Sequence, residues 1–346
     1  SAYYTGVAIT TDLAYSPVER VLVYHGALPS NNARIDVTAG TVQFPGSSQP
    51  LTTGARIELK LPPTGQPLLQ AFDAAGTPAD SMGLDSPVTL HASDTSRLRV
   101  TFKSAPRVPG AASETYNVYR GDLTLRATAT NLDVIDIVPL DQYLYGSVPA
   151  EMPATWPSEA LRAQAIAART YAIHAQRGDA VPWDLDDTTA SQVYLGALKE
   201  QPASNAAVDS TSGLVLTYGG APITAYYHAC DAGHTEDASH LFPGVSLPYA
   251  LGVTDTDPLG QSYDHACPRS HWTTKPSTRQ QIESGLGTDV VSRIGSLGWI
   301  DLSSRSDTGR LLVVVVGGVK GSIAIPAQQF RQTYNHNRPD QGDQLF

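Results

Sequence analysis

Charge is scarce in this chain, and positive charge is the scarcest. Asp, Glu, Lys and Arg make up only 16% of the residues, and 23 Lys and Arg against 33 Asp and Glu leave a formal net charge of -10. A chain so poor in cations is a weak match for a nucleic-acid backbone or an anionic membrane as its main partner. No apolar run approaches the ~18 residues that a membrane span requires. The longest, LLVVVVGGV at 311–319, is short, β-branched and glycine-terminated, and reads as a buried strand. There are only two cysteines, Cys230 and Cys267. In an exported protein that pair reads as a disulfide, and in a reduced compartment as two buried thiols. The chain starts at Ser1 with no signal peptide, which reads as a processed product whose targeting segment has been removed.

What is abundant is turn-forming and apolar. Gly and Pro together number 54, and hydrophobic residues are 41% of 346. That length allows two domains, and that balance favours a turn-rich, β-containing fold over a helical bundle. Residues 1–110 alternate apolar with polar side chains in ERVLVYHG, ARIDVTAGTVQFPG, ARIELKLPP and RLRVTFK, between clusters of Pro, Gly, Ser and Asn. They are expected to form a β-rich accessory region, with SAPRVPGAASE at 104–114 as the linker. The following segment to Met152 reads as two or three strands running into a turn, and LDVIDIV as a strand with one buried face.

A helix is expected next, with Thr155 as N-cap, Pro157 in the first turn and Gly178 as its stop. Leu161, Ala165, Ala168 and Ala172 make one apolar stripe; Ala163, Ile166 and Ile173 make a second. So broad an apolar surface means a helix packed on most sides. Later segments read as a weak helix at STRQQIESGLG, a strand pair in GRLLVVVVGGVKGSIAIP and a short final helix at AQQFRQTY.

The stretch PLDQYLYGSVPAEMPATWPSEALRAQAIAARTYA closely resembles the central motif of the SpoIID/LytB family, named for stage II sporulation protein D and the amidase enhancer. SQVYLG resembles that family's Gln-x-Tyr-x-Gly element, and AYYHACDAGHTEDASHLF its Gly-x-Thr-Glu stretch. The likeness runs from about residue 115, is strongest over 139–242, and assigns residues 111–346 to a SpoIID-like domain. It implies an α+β fold that is β-rich, with the Ala-rich helix beside a mixed sheet and the N-terminal all-β region added. Family members continue into a Gly/His-rich segment where this chain reads HNRPDQGDQLF.

By that resemblance the activity is lytic transglycosylation of peptidoglycan glycan strands stripped of peptide, in an extracytoplasmic setting and without a cofactor. Other envelope proteins are possible partners of residues 1–110. The catalytic acid is Glu151, and Arg162, Gln164, Arg169, Tyr171, Gln192, Tyr194, His234, Thr235 and Glu236 are the candidate glycan contacts. Chemistry alone supports the role of Glu151. Cleaving a glycosidic bond needs a proton donor, and one carboxyl group suffices if the sugar's own 6-hydroxyl is the nucleophile. Met152, Pro153, Trp156 and Tyr143 are expected to shelter that carboxyl, raising its proton affinity. The structural alternative is a carboxylate stabilising a helix N-terminus.

Cys230 and Cys267 are expected to be bridged, and a zinc site built from His228, Cys230 and His234, completed by Cys267 or His265, is the alternative. That alternative assumes a strand that projects residues 228 and 230 to one face. A non-catalytic envelope protein that binds glycan or enhances an amidase is the second functional reading. A two-carboxylate hydrolase using Asp184, Asp186 or Asp187 is the third, although those three read as a solvated turn.

Overall fold

The computed structural model describes residues 6–11, 13–29, 33–62, 65–103, 117–128, 130–242, 244–267 and 276–338. The chain forms two compact units: one of Ala8–Tyr226, the other made by the residues before Ala8 together with those from Tyr227 onward. The fold is α+β and β-rich, as expected.

The first unit is built on two large sheets, with a small third one of Ala8–Thr10, Val215–Tyr218 and Ala221–Pro222. The larger runs in the order Leu185–Asp186, Val18–Ala27, Asn131–Pro139, Asp122–Ala127, Val88–Ala92, Thr41–Gln43 and Leu51–Thr52. It is mixed, because Leu185–Asp186 lies parallel to Val18–Ala27 while the other neighbours are antiparallel. The smaller runs Val118–Tyr119, Arg97–Val100, Arg34–Ala39, Arg56–Lys60, Leu68–Phe72 and Pro78–Gly83. Strand alternation does what it should: Val21 and Val23, Ile35 and Val37, and Ile57 and Leu59 all turn inward, each no more than 2% exposed.

One core joins these strands to the helices that follow. Ile35, Leu69, Leu90 and Val134 share a hydrophobic cluster with Leu140, Tyr143 and Val148 of α1 (Leu140–Glu151) and Ala165, Ala168 and Ala172 of α2 (Ser158–Ala175). The boundary expected near residue 110 is therefore not where the chain divides. Val18–Ala27 pairs along the whole of Asn131–Pro139, so the N-terminal strands and the later segment are one unit. The linker assigned to 104–114 lies outside the described residues.

Two further expectations are corrected. Residues 140–151 are a helix rather than a strand and turn; Gly146 and Pro149 hide it in the sequence. Gly146 is there for space, since a Cβ would stand 2.7 Å from the Tyr194 ring. The LDVIDIV strand does not bury one face only. A bulge between Val134 and Ile135 shifts its register, and Ile135 and Asp136 are both buried. Helix α2 begins at Ser158 after Pro157, without a side-chain cap from Thr155, and ends at Ala175, short of Gly178. Its first apolar stripe is buried, whereas Ala163 of the second is exposed. Helix α3 (Pro202–Asp209) packs against α1 and α2.

The second unit has a short α4 (Ala238–Leu241) and an antiparallel sheet of Leu297–Asp301, Val313–Gly318 and Gly321–Pro326. Helices α5 (Arg279–Ile294) and α6 (Ala327–Asn337) cover that sheet over a core of Leu286, Ile294, Leu297, Val314, Val316 and Ile325. Thr278 and Gln281 form a reciprocal capping box at the start of α5. Cys230 and Cys267 are joined by a disulfide, with a Cα–Cα separation of 6.3 Å.

Two consequences for stability can be measured. The bridge spans 37 residues, and loop-closure entropy gives it about 4 kcal/mol. Reduction should lower the melting temperature of the second unit and leave the transition of the first in place, as read by calorimetry with and without reductant. Burial pushes Glu19 up to about 8 and Asp136 up to about 7, against ~4 for such acids in an unfolded chain. Both bind their protons more tightly when folded, so their contribution is complete below about pH 4 and is lost as pH rises through about 7 and 8. Urea midpoints should fall between pH 5 and 8.5, and Glu19→Gln should flatten that slope.

Candidate functional site

Glu151 is the last residue of α1 and is exposed. The backbone N–H of Val193 donates to its Oε1 at 3.0 Å. Glu151 therefore lies at the negative, C-terminal end of a helix. A carboxylate there gains nothing from the macrodipole, so the helix-stabilising alternative is removed. The expected shelter is also corrected. Tyr143 is fully buried in the core, and Trp156 is 53% exposed in the turn that Trp156 N–H closes on the Pro153 carbonyl.

The segment that supplies Val193 is held from below. Gln192 is 1% exposed, accepts from the Tyr143 hydroxyl at 3.1 Å and donates to the Ala168 carbonyl at 3.3 Å. Tyr194 is also 1% exposed; its hydroxyl donates to Asp136 Oδ2 at 2.8 Å and its ring lies 4.9 Å from that of Tyr143. Gly196 follows with a φ of 60° and backs onto the Val118 carbonyl, where a Cβ would overlap. Gln192 and Tyr194 thus present no surface to a ligand: they fix the loop that holds Glu151.

Arg169, expected to face the site, has no exposure at all. Its guanidinium donates to Asp141 of α1 at 2.9 Å and to the carbonyls of Val208, Thr211 and Leu214 at 3.1, 2.8 and 3.3 Å. It closes the C-terminal end of α3 and ties α1 to α2. Arg162 is the outward-facing member of the pair, its side chain 40% exposed and 3.0 Å from Glu159. Gln164 is buried, and its Nε2 has no partner among the described residues. Tyr171 is half-buried and packs edge-on to Tyr226 at 6.4 Å, with burial raising its phenol pKa.

The Asp cluster is not a solvated turn. Asp184 takes a bidentate pair from Arg20 at 2.8 and 2.9 Å, and Asp187 pairs with the buried Lys103. Asp186 accepts from the Thr188 N–H at 3.0 Å and from Ser191 Oγ at 3.2 Å. All three are committed to holding the 184–191 loop.

His234, Thr235 and Glu236 belong to the second unit. Thr235 is buried and accepts from the Val253 N–H at 2.9 Å. Burial pushes Glu236 up, but hydrogen bonds from Ser306, Thr308 and His240 outweigh it and hold the carboxyl at about 2. With its side chain 4% exposed, Glu236 is a structural anchor for the 306–308 turn. His234 Nδ1 lies 2.6 Å from the Thr235 carbonyl. Residues 228 and 230 are in irregular backbone, not on a strand, so the shared-face argument for zinc lapses. With both cysteines bridged, no group of three or more metal-ligating side chains is found among the described residues.

Residues 128–218 match the model of SpoIID, the stage II sporulation protein family. The likeness to that family rests on this segment. It holds Glu151, α1, α2 and the Gln192–Gly196 loop, and both contributors to the Glu151 hydrogen bond fall within it. An uncharacterized protein of Brachyspira hyodysenteriae is 39% identical over 137 residues, 39% of this chain and 37% of its own length. The amidase enhancer of Bacillus subtilis is 37% identical over 180 residues, 52% of this chain and 22% of its own length. Stage II sporulation protein D of Bacillus subtilis is 32% identical over 207 residues, 51% of this chain and 57% of its own length. The chain therefore spans between 22% and 57% of these relatives.

Two parts of the SpoIID segment's site are not in the sequence reading. Asp136 was signalled by an acid set in the apolar run VIDIV. Val193 contributes only its backbone, which leaves no mark on side-chain chemistry. The contrast between the two arginines gives a test. Arg169→Met leaves Asp141 and three carbonyls without their donor and should cost about 3–5 kcal/mol by chemical denaturation. Arg162→Ala, at an exposed i,i+3 pair, should cost less than about 1 kcal/mol.

Proposed function

We propose that this protein acts on cell-wall glycan outside the cytoplasm as a lytic transglycosylase, with Glu151 as its single acid and base. The observation that carries the reading is the position of Glu151. It is exposed, sits at the helix end that disfavours a carboxylate, and is oriented by a backbone amide whose loop is pinned by buried Gln192 and Tyr194. A group placed against the stability of its own helix and then aimed is a group used for chemistry. The kinship with an amidase enhancer and a sporulation protein supports an envelope setting, and so does the disulfide, which belongs to oxidising compartments.

In this mechanism protonated Glu151 gives its proton to the glycosidic oxygen as the C1–O bond breaks. Positive charge develops at C1 and the ring oxygen. The 6-hydroxyl of the same sugar then attacks C1 and surrenders its proton to the Glu151 carboxylate. The products are a free 4-hydroxyl on one strand and a 1,6-anhydro ring on the other, with no water consumed and the acid restored. A second carboxylate is not needed, in keeping with Asp184 and Asp187 being held by Arg20 and Lys103.

One observation favours a second reading, a glycan-binding envelope protein that does not cut. Glu151 is exposed, and Trp156 and Tyr143 do not enclose it. Incubation with peptide-free glycan strands, followed by analysis of chain ends, separates the readings. Anhydro ends should form, and Glu151→Gln should slow their formation by about 10²–10⁴-fold. Reducing ends would point to hydrolysis, and intact strands that remain bound would leave the non-catalytic reading.

A further inference from the structure

The outer face of the three-stranded sheet in the second unit carries an arrangement that core packing does not require. Leu297, Val314, Val316 and Ile325 turn inward under α5 and α6. On the opposite face Trp299 stands across from Gly317, and Gly317 from Ser322; Asp301 stands across from Val315, and Val315 from Ala324. Ser322 and Ala324 are small and exposed, so the sheet is low beside the indole.

Trp299 is 50% exposed, yet Gly317 beneath it is buried. A Cβ at Gly317 would lie 2.6 Å from the indole Nε1 and closer still to Cε2 and Cζ2. The indole therefore rests on the glycine Cα, and no other residue can occupy that position without displacing it. A glycine inside a strand weakens it and marks a close approach. Here it seats a ring that adds nothing to the core and remains half in solvent.

We infer that Trp299, seated on Gly317 with Asp301 beside it, is a binding surface for a pyranose unit of a polysaccharide strand. The indole offers an apolar plane to the C–H face of a sugar ring. Asp301, two residues on and on the same face of the strand, is exposed and is an acceptor for sugar hydroxyls. The Ser303 N–H donates to its Oδ1 at 2.8 Å and the Ser303 side chain bonds the same carboxylate, which orients it at the exposed edge of this surface. The outer positions 299, 301, 315, 317, 322 and 324 carry no Lys or Arg, so the ring face and hydroxyls of a sugar, and not an acidic substituent, are what this surface can hold.

The ligand class is shared with the function proposed above and rests on that reading for its source, but the site is separate from Glu151 and is tested by binding rather than by cleavage. Equilibrium binding of the full chain to purified peptide-free glycan strands should weaken by about 10- to 30-fold in Trp299→Ala. Trp299→Phe, which keeps a ring, should retain most of the affinity, and Asp301→Asn should lose several-fold. A matched melting curve for Trp299→Ala separates lost binding from lost folding, and Asp301→Asn keeps the test open if that variant does not fold.

Equal affinity in the unaltered protein, Trp299→Ala and Asp301→Asn would overturn the assignment, as would absence of any glycan binding. Binding through Trp299 without formation of anhydro ends would overturn the catalytic reading and leave this one. Anhydro ends with no effect of Trp299 on affinity would do the reverse.

Discussion

The guanidinium of Arg169 has no contact with water, and a buried cation is tolerated only where nearly every donor is answered. Asp141 of α1 supplies the countercharge, while the carbonyls at 208, 211 and 214 take the remaining N–H groups. Those carbonyls belong to the end of α3 and the turn after it, where a helix leaves its acceptors unfilled. One side chain of α2 therefore fixes the direction of α1 and the exit of α3 together. Glu151 sits ten residues along α1 from Asp141, so its location depends on that anchoring.

The site is thus assembled in two layers. Beneath lie Tyr143, Gln192, Tyr194 and Asp136, all buried, with Tyr143 bonded to Gln192, Tyr194 bonded to Asp136 and the two rings in contact. Above them the buried Val193 amide holds the exposed carboxylate of Glu151. Rigid support under a sparsely furnished surface suits a long, repetitive ligand, which slides across a site instead of being enclosed by it. Side chains such as Gln192 and Arg169 serve that surface without reaching it, because a polar group in the core is held to one geometry by the cost of leaving it unpaired.

Much of this was legible in the sequence, and what was not has identifiable causes. Strand alternation located Val18–Ala27, Arg34–Ala39 and Arg56–Lys60, since period-two burial is written directly in side-chain polarity. The Ala-rich stripe located α2 for the same reason at period 3.6. Helix α1 was missed because Gly146 and Pro149 are locally anti-helical, and the reason for Gly146, the Tyr194 ring, comes from 48 residues away. The boundary expected near residue 110 failed because strand composition does not reveal which strands pair: Val18–Ala27 selects Asn131–Pro139, more than a hundred residues on. The family resemblance makes Arg169 and Glu236 ligand-facing, but a motif does not say which partner in the fold takes each charge.

That same pairing shapes how the chain reaches its native state. Ala8–Thr10 finds its neighbour only at Val215–Thr217, and Val18–Ala27 is flanked by Asn131–Pro139 on one side and Leu185–Asp186 on the other. These strands thus wait for partners more than a hundred residues further along the chain, and until then their edges stay open. Such non-local closure is slow and leaves the nascent chain in need of protection from association with its own copies.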